Sequence, residues 1–186
     1  MKLRFVLMMI ALCAPSAFAE TPKENLEKLV ARVGKAFWSA PEKRLVRATT
    51  YRKDKTAADA NSANAKSDEK IGLLYATKAR AGTLAVPDWL PRGSMVKIYT
   101  DDGVLAYIAA DEGSGVESRA AAKELGKTKE QRASAVLDFC ADKQPWPDFT
   151  IVEIYYYAGK VPFTELSLEE QKILFSYAAE YVAKRE

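Results

Sequence analysis

Two hydrophobic periods alternate along the chain, and the places where one gives way to the other outline its elements. Residues 5–12 are apolar without interruption, with Lys2 and Arg4 ahead of them and Pro15 and Ala17-Phe18-Ala19 behind. A helical start follows at Thr21-Pro22-Lys23-Glu24, which offers an N-cap, a first-turn proline and a capping-box glutamate. Leu26, Leu29, Val30 and Val33 then recur at one-face spacing, and Gly34 is the stop. The pattern predicts a lid or packing helix. From Leu45 the period shortens to β-type runs at 45–51, 73–77, 83–86, 95–100, 104–110, 135–140 and 150–157. Asp101-Asp102-Gly103 reads as a tight hairpin between two of these runs. The polar stretch 53–70 has no periodicity and reads as a loop, and 116–130, with Ala120, Ala121, Ala122 and Leu125, reads as a short helix ending near Gly126. A second capping box, Ser167-Leu168-Glu169-Glu170, opens a helix whose apolar face carries Ile173, Leu174, Tyr177, Ala178, Tyr181 and Val182. Short strands separated by turns predict a small barrel or sandwich.

A cationic start, a short apolar segment and an A-x-A site, in that order, predict an export signal cleaved after Ala19. The run is far shorter than the ~20 apolar residues a membrane span needs. Acylation at Cys13 is the weaker alternative, because bulky Leu12 precedes it. The segments expected are therefore a signal peptide at 1–19, an N-terminal helical segment at 20–44, a barrel at 45–160 and a C-terminal amphipathic helix at 161–186. Loss of Lys2 and Arg4 lowers the formal net charge from +3 to +1. The densest basic stretch, Arg44, Arg47, Arg52, Lys53 and Lys55, is diluted by Asp54 and Asp59. It predicts a solvated strand end, and nothing here makes the basic stripe that nucleic acid requires.

Composition then narrows the chemistry. The chain has no histidine, which removes imidazole bases, the Ser/His/Asp arrangement and Cys/His metal spacing. Beyond residue 19 a single cysteine remains, Cys140, so no internal disulfide can form there. Its apolar setting, Ala135-Val136-Leu137-Asp138-Phe139-Cys140, reads it as a small core hydrophobe. Carboxylates, hydroxyls and amines are left for catalysis, and no cofactor, metal or nucleotide motif is expected.

Three phrases carry a resemblance. Leu84-Ala85-Val86-Pro87-Asp88-Trp89-Leu90-Pro91-Arg92-Gly93-Ser94-Met95-Val96-Lys97-Ile98, Ala109-Ala110-Asp111-Glu112-Gly113-Ser114-Gly115 and Val136-Leu137-Asp138-Phe139 resemble, in order, the phrases of the Asp-Asp-Asp (3D) domain. The resemblance covers roughly residues 48–157. It departs from the pattern where Asp88 follows its proline instead of preceding it, where Glu112 replaces a threonine, and where 116–130 is inserted. The resemblance implies a six-stranded double-psi β-barrel like those of membrane-bound lytic transglycosylase A, rare lipoprotein A and the expansins. It further implies an exported envelope protein, periplasmic or secreted, acting on peptidoglycan. The third-phrase aspartate, here Asp138, would protonate the glycosidic oxygen and then take the proton of the sugar's own C6 hydroxyl, leaving a 1,6-anhydromuramyl product. Asp111, expected to face Asp138 across the barrel, would raise its pKa or orient it. Asp88 would be a weaker third member that binds or supports.

Sugar rings stack on aromatic faces. Tyr51, Trp89 and Tyr75 are candidates for that contact, with Tyr51 and Trp89 favoured, and at least one of Tyr155, Tyr156 and Tyr157 is expected to face solvent. The alternative class is a non-catalytic, expansin-like glycan-binding module that keeps the groove and lacks proton transfer. Either way the expected partner is cell-wall polysaccharide, with no nucleic acid and no membrane span in a monomeric mature chain.

Overall fold

In the computed structural model, which describes residues 21–52, 73–85, 90–111 and 136–185, the helix expected after Thr21 is α1, Pro22–Val33. The Glu24 amide donates to the Thr21 hydroxyl at 3.3 Å, and the Thr21 amide donates to the Glu24 carboxylate at 2.7 Å. This reciprocal cap satisfies amides that a first helical turn leaves without partners. Gly34, at φ 109°, ends the helix in a conformation that side chains disfavour.

Six strands follow: β1 Glu42–Tyr51, β2 Gly82–Ala85, β3 Met95–Thr100, β4 Gly103–Asp111, β5 Val136–Cys140 and β6 Phe149–Tyr155. They close into a barrel in the order β1-β5-β2-β4-β3-β6. Exchanging every strand with the one three places later in the chain reproduces this order, so two halves, β1-β2-β3 and β4-β5-β6, interleave about a pseudo-twofold axis. The parallel pairs β1–β5 and β2–β4 map onto each other, while the antiparallel seams β2–β5 and β3–β6 map onto themselves. The fold is a mainly β, six-stranded double-psi barrel with flanking helices. The Asp101-Asp102 turn joins β3 to β4 as expected, with Thr100 opposite Gly103.

The strand expected at 73–77 does not form. A closed barrel has no free edge, and β2 already lies between β4 and β5. Because β5 pairs only Leu84 and Ala85 on that side, the segment reaches β2 at one residue: the Thr83 amide donates to the Leu74 carbonyl and the Leu74 amide to the Thr83 hydroxyl. Its own pairing is a single bridge, Thr77 to Arg80. The helix expected at 116–130 and the loop expected at 53–70 lie outside the described residues.

Alternation along each strand sorts the side chains. Val46, Ala48, Leu84, Ile98, Leu137 and Phe139 point into the packed interior and are fully buried. Met95, Ala106 and Ile108 point the other way and receive α1 together with α2, Leu168–Ala183, through Leu29, Val33, Leu174 and Phe175. The C-terminal helix therefore buries Leu174, Phe175, Ala178 and Val182 in this layer, while Ile173 and Tyr177 are only partly buried and border a groove beside α1. Glu170 serves twice at this junction, closing the Ser167 capping box and accepting both carboxylate contacts from Arg32, at 2.7 and 2.6 Å.

Gly93 links the two sides. Its φ of +83° suits glycine, and a Cβ there would lie 2.8 Å from the Phe163 Cβ. Its carbonyl also accepts the buried Trp38 indole N–H at 2.9 Å. Gly93→Ala is expected to cost about 1–2 kcal/mol in backbone strain and about 1–3 kcal/mol in overpacking. Urea unfolding followed by tryptophan fluorescence reads both as a lower midpoint.

Candidate functional site

Asp138 sits in the middle of β5, between Leu137 and Phe139. Those neighbours face the interior, so the carboxylate emerges on the opposite face of the wall. On one side β5 pairs in parallel with β1, which puts Thr49 beside Asp138. On the other it pairs with β2, which puts Ala85 beside it. The Thr49 hydroxyl donates to Asp138 Oδ1 at 2.7 Å.

Asp111 reaches the same face by an irregularity. Leu84 pairs with Ala109, but the next residue, Ala85, pairs with Asp111, so β4 carries one extra residue at Ala110. Simple alternation would have sent Asp111 inward with Ala109; a bulge re-aims the side chain that follows it. The row across four strands is thus Thr49, Asp138, Ala85, Asp111. Ala85, buried and bearing only a methyl group, stands between the two acids in the row. The expected juxtaposition of Asp111 with Asp138 is present, but along one face of the wall and not across the lumen.

The two acids differ in access. Asp111 is fully buried, whereas Asp138 is half-buried and can be reached. Burial raises the Asp138 pKa above the ordinary carboxylate range; the Thr49 hydrogen bond opposes this and the Asp111 charge adds to it. Tyr51 shares this environment. Burial, first, and then the charges of Asp111, Cys140 and Asp138 push its phenol far above the usual tyrosine value, so it stays a neutral hydroxyl. That hydroxyl is buried against Asp111, and hydrogen bonding towards the Asp111 carboxylate adds to the rise.

Tyr51 is therefore no open platform for a sugar ring; its polar end lies against the acids. Asp88 and Trp89 lie outside the described residues. Of the three consecutive tyrosines, Tyr155 is buried, and Tyr156 and Tyr157 are half-buried with hydroxyls donating to Glu42 and to the Val161 carbonyl. Cys140 is fully buried, as expected of a small apolar residue. Of the basic stretch, Arg44 pairs with Glu42 and Arg52 with Asp142, as befits a solvated strand end.

Thr49 and Ala85 escape the sequence reading as site residues. Thr49 alternates with Arg47 and Tyr51 against interior Val46 and Ala48, a polar face that singles out the correct side of β1. No local signal marks Ala85, because its role comes from two pairings with distant strands.

Among the described residues no cluster of three metal-ligating side chains occurs, and no helix is long and apolar enough to cross a membrane. A groove of about 990 Å3 lies between α1 and α2, lined by Leu26, Leu29, Arg32, Glu170, Ile173 and Tyr177, and includes neither Asp111 nor Asp138. No protein-family model, curated protein or solved structure matches the chain.

Proposed function

We propose that this is an exported cell-envelope protein that cleaves peptidoglycan glycan strands without water, with Asp138 as the single acid and base. One observation carries the reading: a reachable carboxyl group, Asp138, is held towards its protonated form by burial and by a second, inaccessible carboxylate, Asp111. A general acid must still carry its proton at the working pH, and two carboxylates in unlike environments divide the acid role from the electrostatic one.

In this mechanism the Asp138 carboxyl donates its proton to the glycosidic oxygen as the C1–O bond breaks. The charge left on Asp138 is stabilised by the Thr49 hydroxyl. The muramyl C6 hydroxyl then bonds to C1 and yields its proton to Asp138, which restores the acid and closes the 1,6-anhydro ring. Asp111 adds to the proton affinity that burial chiefly gives Asp138, and does not touch the sugar. Tyr51 keeps its proton throughout and can only donate or accept a hydrogen bond.

The segment at 1–19, with its cationic start, apolar run and A-x-A site, supports export to the periplasm or beyond. Purified sacculi incubated with the chain lacking residues 1–19 are expected to release soluble muropeptides ending in 1,6-anhydromuramic acid, resolved by liquid chromatography and mass spectrometry. Release of reducing ends in their place would mean that water is the nucleophile. Sedimentation with sacculi and no release at all would leave only a binding module.

A further inference from the structure

On the other side of β1 from the acidic pair, the outer surface formed by β1, β6 and β3 carries two of the most exposed large apolar side chains among the described residues. Tyr99 is 47% exposed and Ile151 57%. The β3–β6 register, extended two residues past Lys97 and Glu153, sets these two side by side, and Leu45 lies next to Ile151.

Tyr99 is not loose. Its hydroxyl donates to Glu153 Oε1 at 3.0 Å, and the Lys97 ammonium lies 4.8 Å from its ring centroid. Lys97 is itself only 5% exposed. Glu153 is fixed in turn by the Tyr155 hydroxyl at 3.1 Å and by Lys97 and Lys43 at 3.8 and 3.9 Å. Placing an ammonium group out of water is costly unless it is compensated, and holding an exposed ring in one orientation sacrifices rotamer entropy. Both costs are met here for a ring whose free face turns to solvent.

The geometry points to Tyr99, Ile151 and Leu45 as a second binding surface, a stacking platform for a carboxylate-bearing glycan strand whose reacting end lies at Asp138. This rests on the peptidoglycan reading and deepens it. A rigid aromatic ring flanked by aliphatic side chains matches the flat C–H face of a pyranose. Charge selects the anionic strand and its course. Exposed Lys43 and Arg47 stand on the β1 side of the platform, and Arg47 has no ion pair among the described residues. The exposed Asp101-Asp102 turn closes the opposite side by repulsion. The attractive path therefore runs along β1 through Lys43, Leu45, Arg47 and Thr49, the last of which is hydrogen-bonded to Asp138.

The test uses the chain lacking residues 1–19 with Asp138→Asn, so that the strand persists, and purified sacculi as the probe in a sedimentation assay at low and high salt. Adding Tyr99→Ala is expected to weaken binding about twofold to tenfold at both salt concentrations, and Ile151→Ser to weaken it as well. Arg47→Glu should weaken binding chiefly at low salt, since exposed charges are screened. A thermal unfolding midpoint matching the parent shows that each variant is folded. Equal sedimentation of the Tyr99→Ala variant and its parent, or a parent that does not sediment, overturns the platform. Anhydro-product release by the chain with Asp138 intact reports separately on the reading beneath it, so the two failures are distinguishable.

Discussion

Asp138→Asn is expected to lower the rate of anhydro-product release about 100-fold to 10,000-fold, the range lost when a positioned general acid is removed, while the protein becomes more stable near neutral pH. The two effects share one cause. Asparagine keeps the shape of the side chain and an acceptor for the Thr49 hydroxyl, but it cannot deliver a proton. The folded-state pKa of Asp138 is raised above the unfolded value, which is about 3.9 for an aspartate. The folded protein therefore binds that proton more tightly than the unfolded chain. Its contribution to stability is fully present below the unfolded pKa and is lost as pH rises through the folded one. Asparagine does not titrate, so the difference in unfolding midpoint between the variant and the native chain should be smallest in acid, grow with pH through the folded pKa, and then level off. Thermal unfolding across pH, run beside the sacculus assay, reads both effects. A variant that retains activity removes Asp138 from the chemistry; one whose relative stability does not change with pH removes the raised pKa.

Phe139→Ala has the largest expected effect on stability. The ring is fully buried inside the barrel, with centroids 4.8 Å from Tyr107 and 5.0 Å from Trp146. Deleting it forfeits the transfer of the ring from water, leaves a cavity, and removes two edge-on or tilted aromatic contacts. The cost is about 3–5 kcal/mol, a large part of the roughly 5–15 kcal/mol by which a domain is stable. Urea unfolding should show a strongly reduced midpoint with an unchanged slope. A loss under about 1 kcal/mol would place the ring outside the close-packed interior, since mutations away from packed features fall within that range. Asp138 would then lose its assignment to the opposite face, because that assignment depends on Phe139 pointing inward.

These two neighbours also show what a sequence can carry. Alternation in Val136-Leu137-Asp138-Phe139-Cys140 is local, so the strand and its one polar position are legible from five letters. The capping boxes at Thr21 and Ser167 are local as well, and both helices begin where those boxes put them. What the letters lack is pairing. The strand expected at 73–77 has a suitable apolar pattern, yet its fate depends on whether β2 has an open edge, and that is decided by β4 and β5 from far along the chain.

The site follows the same division. Asp111 and Asp138 stand out by residue type, and the resemblance of their phrases to 3D-domain phrases singles them out further. The bulge that turns Asp111 outward, and the alanine between the two acids, exist only in the register between β2 and its two neighbours. Alternation alone would place Asp111 inside the barrel, and the expectation that the pair face each other across it comes with the resemblance and not from the strand pattern. Tyr51 likewise reads as an exposed aromatic in the sequence, whereas its hydroxyl is buried against acids contributed by β4 and β5.

The most direct test of the acidic pair is to titrate the Asp138 carboxyl carbon by NMR in the native chain and in the Asp111→Asn variant. The native group is expected to titrate above the ordinary aspartate value of about 3.9, and the substitution at Asp111 to bring it down part of the way, because burial remains when the neighbouring charge is gone. An Asp138 that titrates at or below the ordinary value in the native chain, or that does not respond to the loss of the Asp111 charge, contradicts the account.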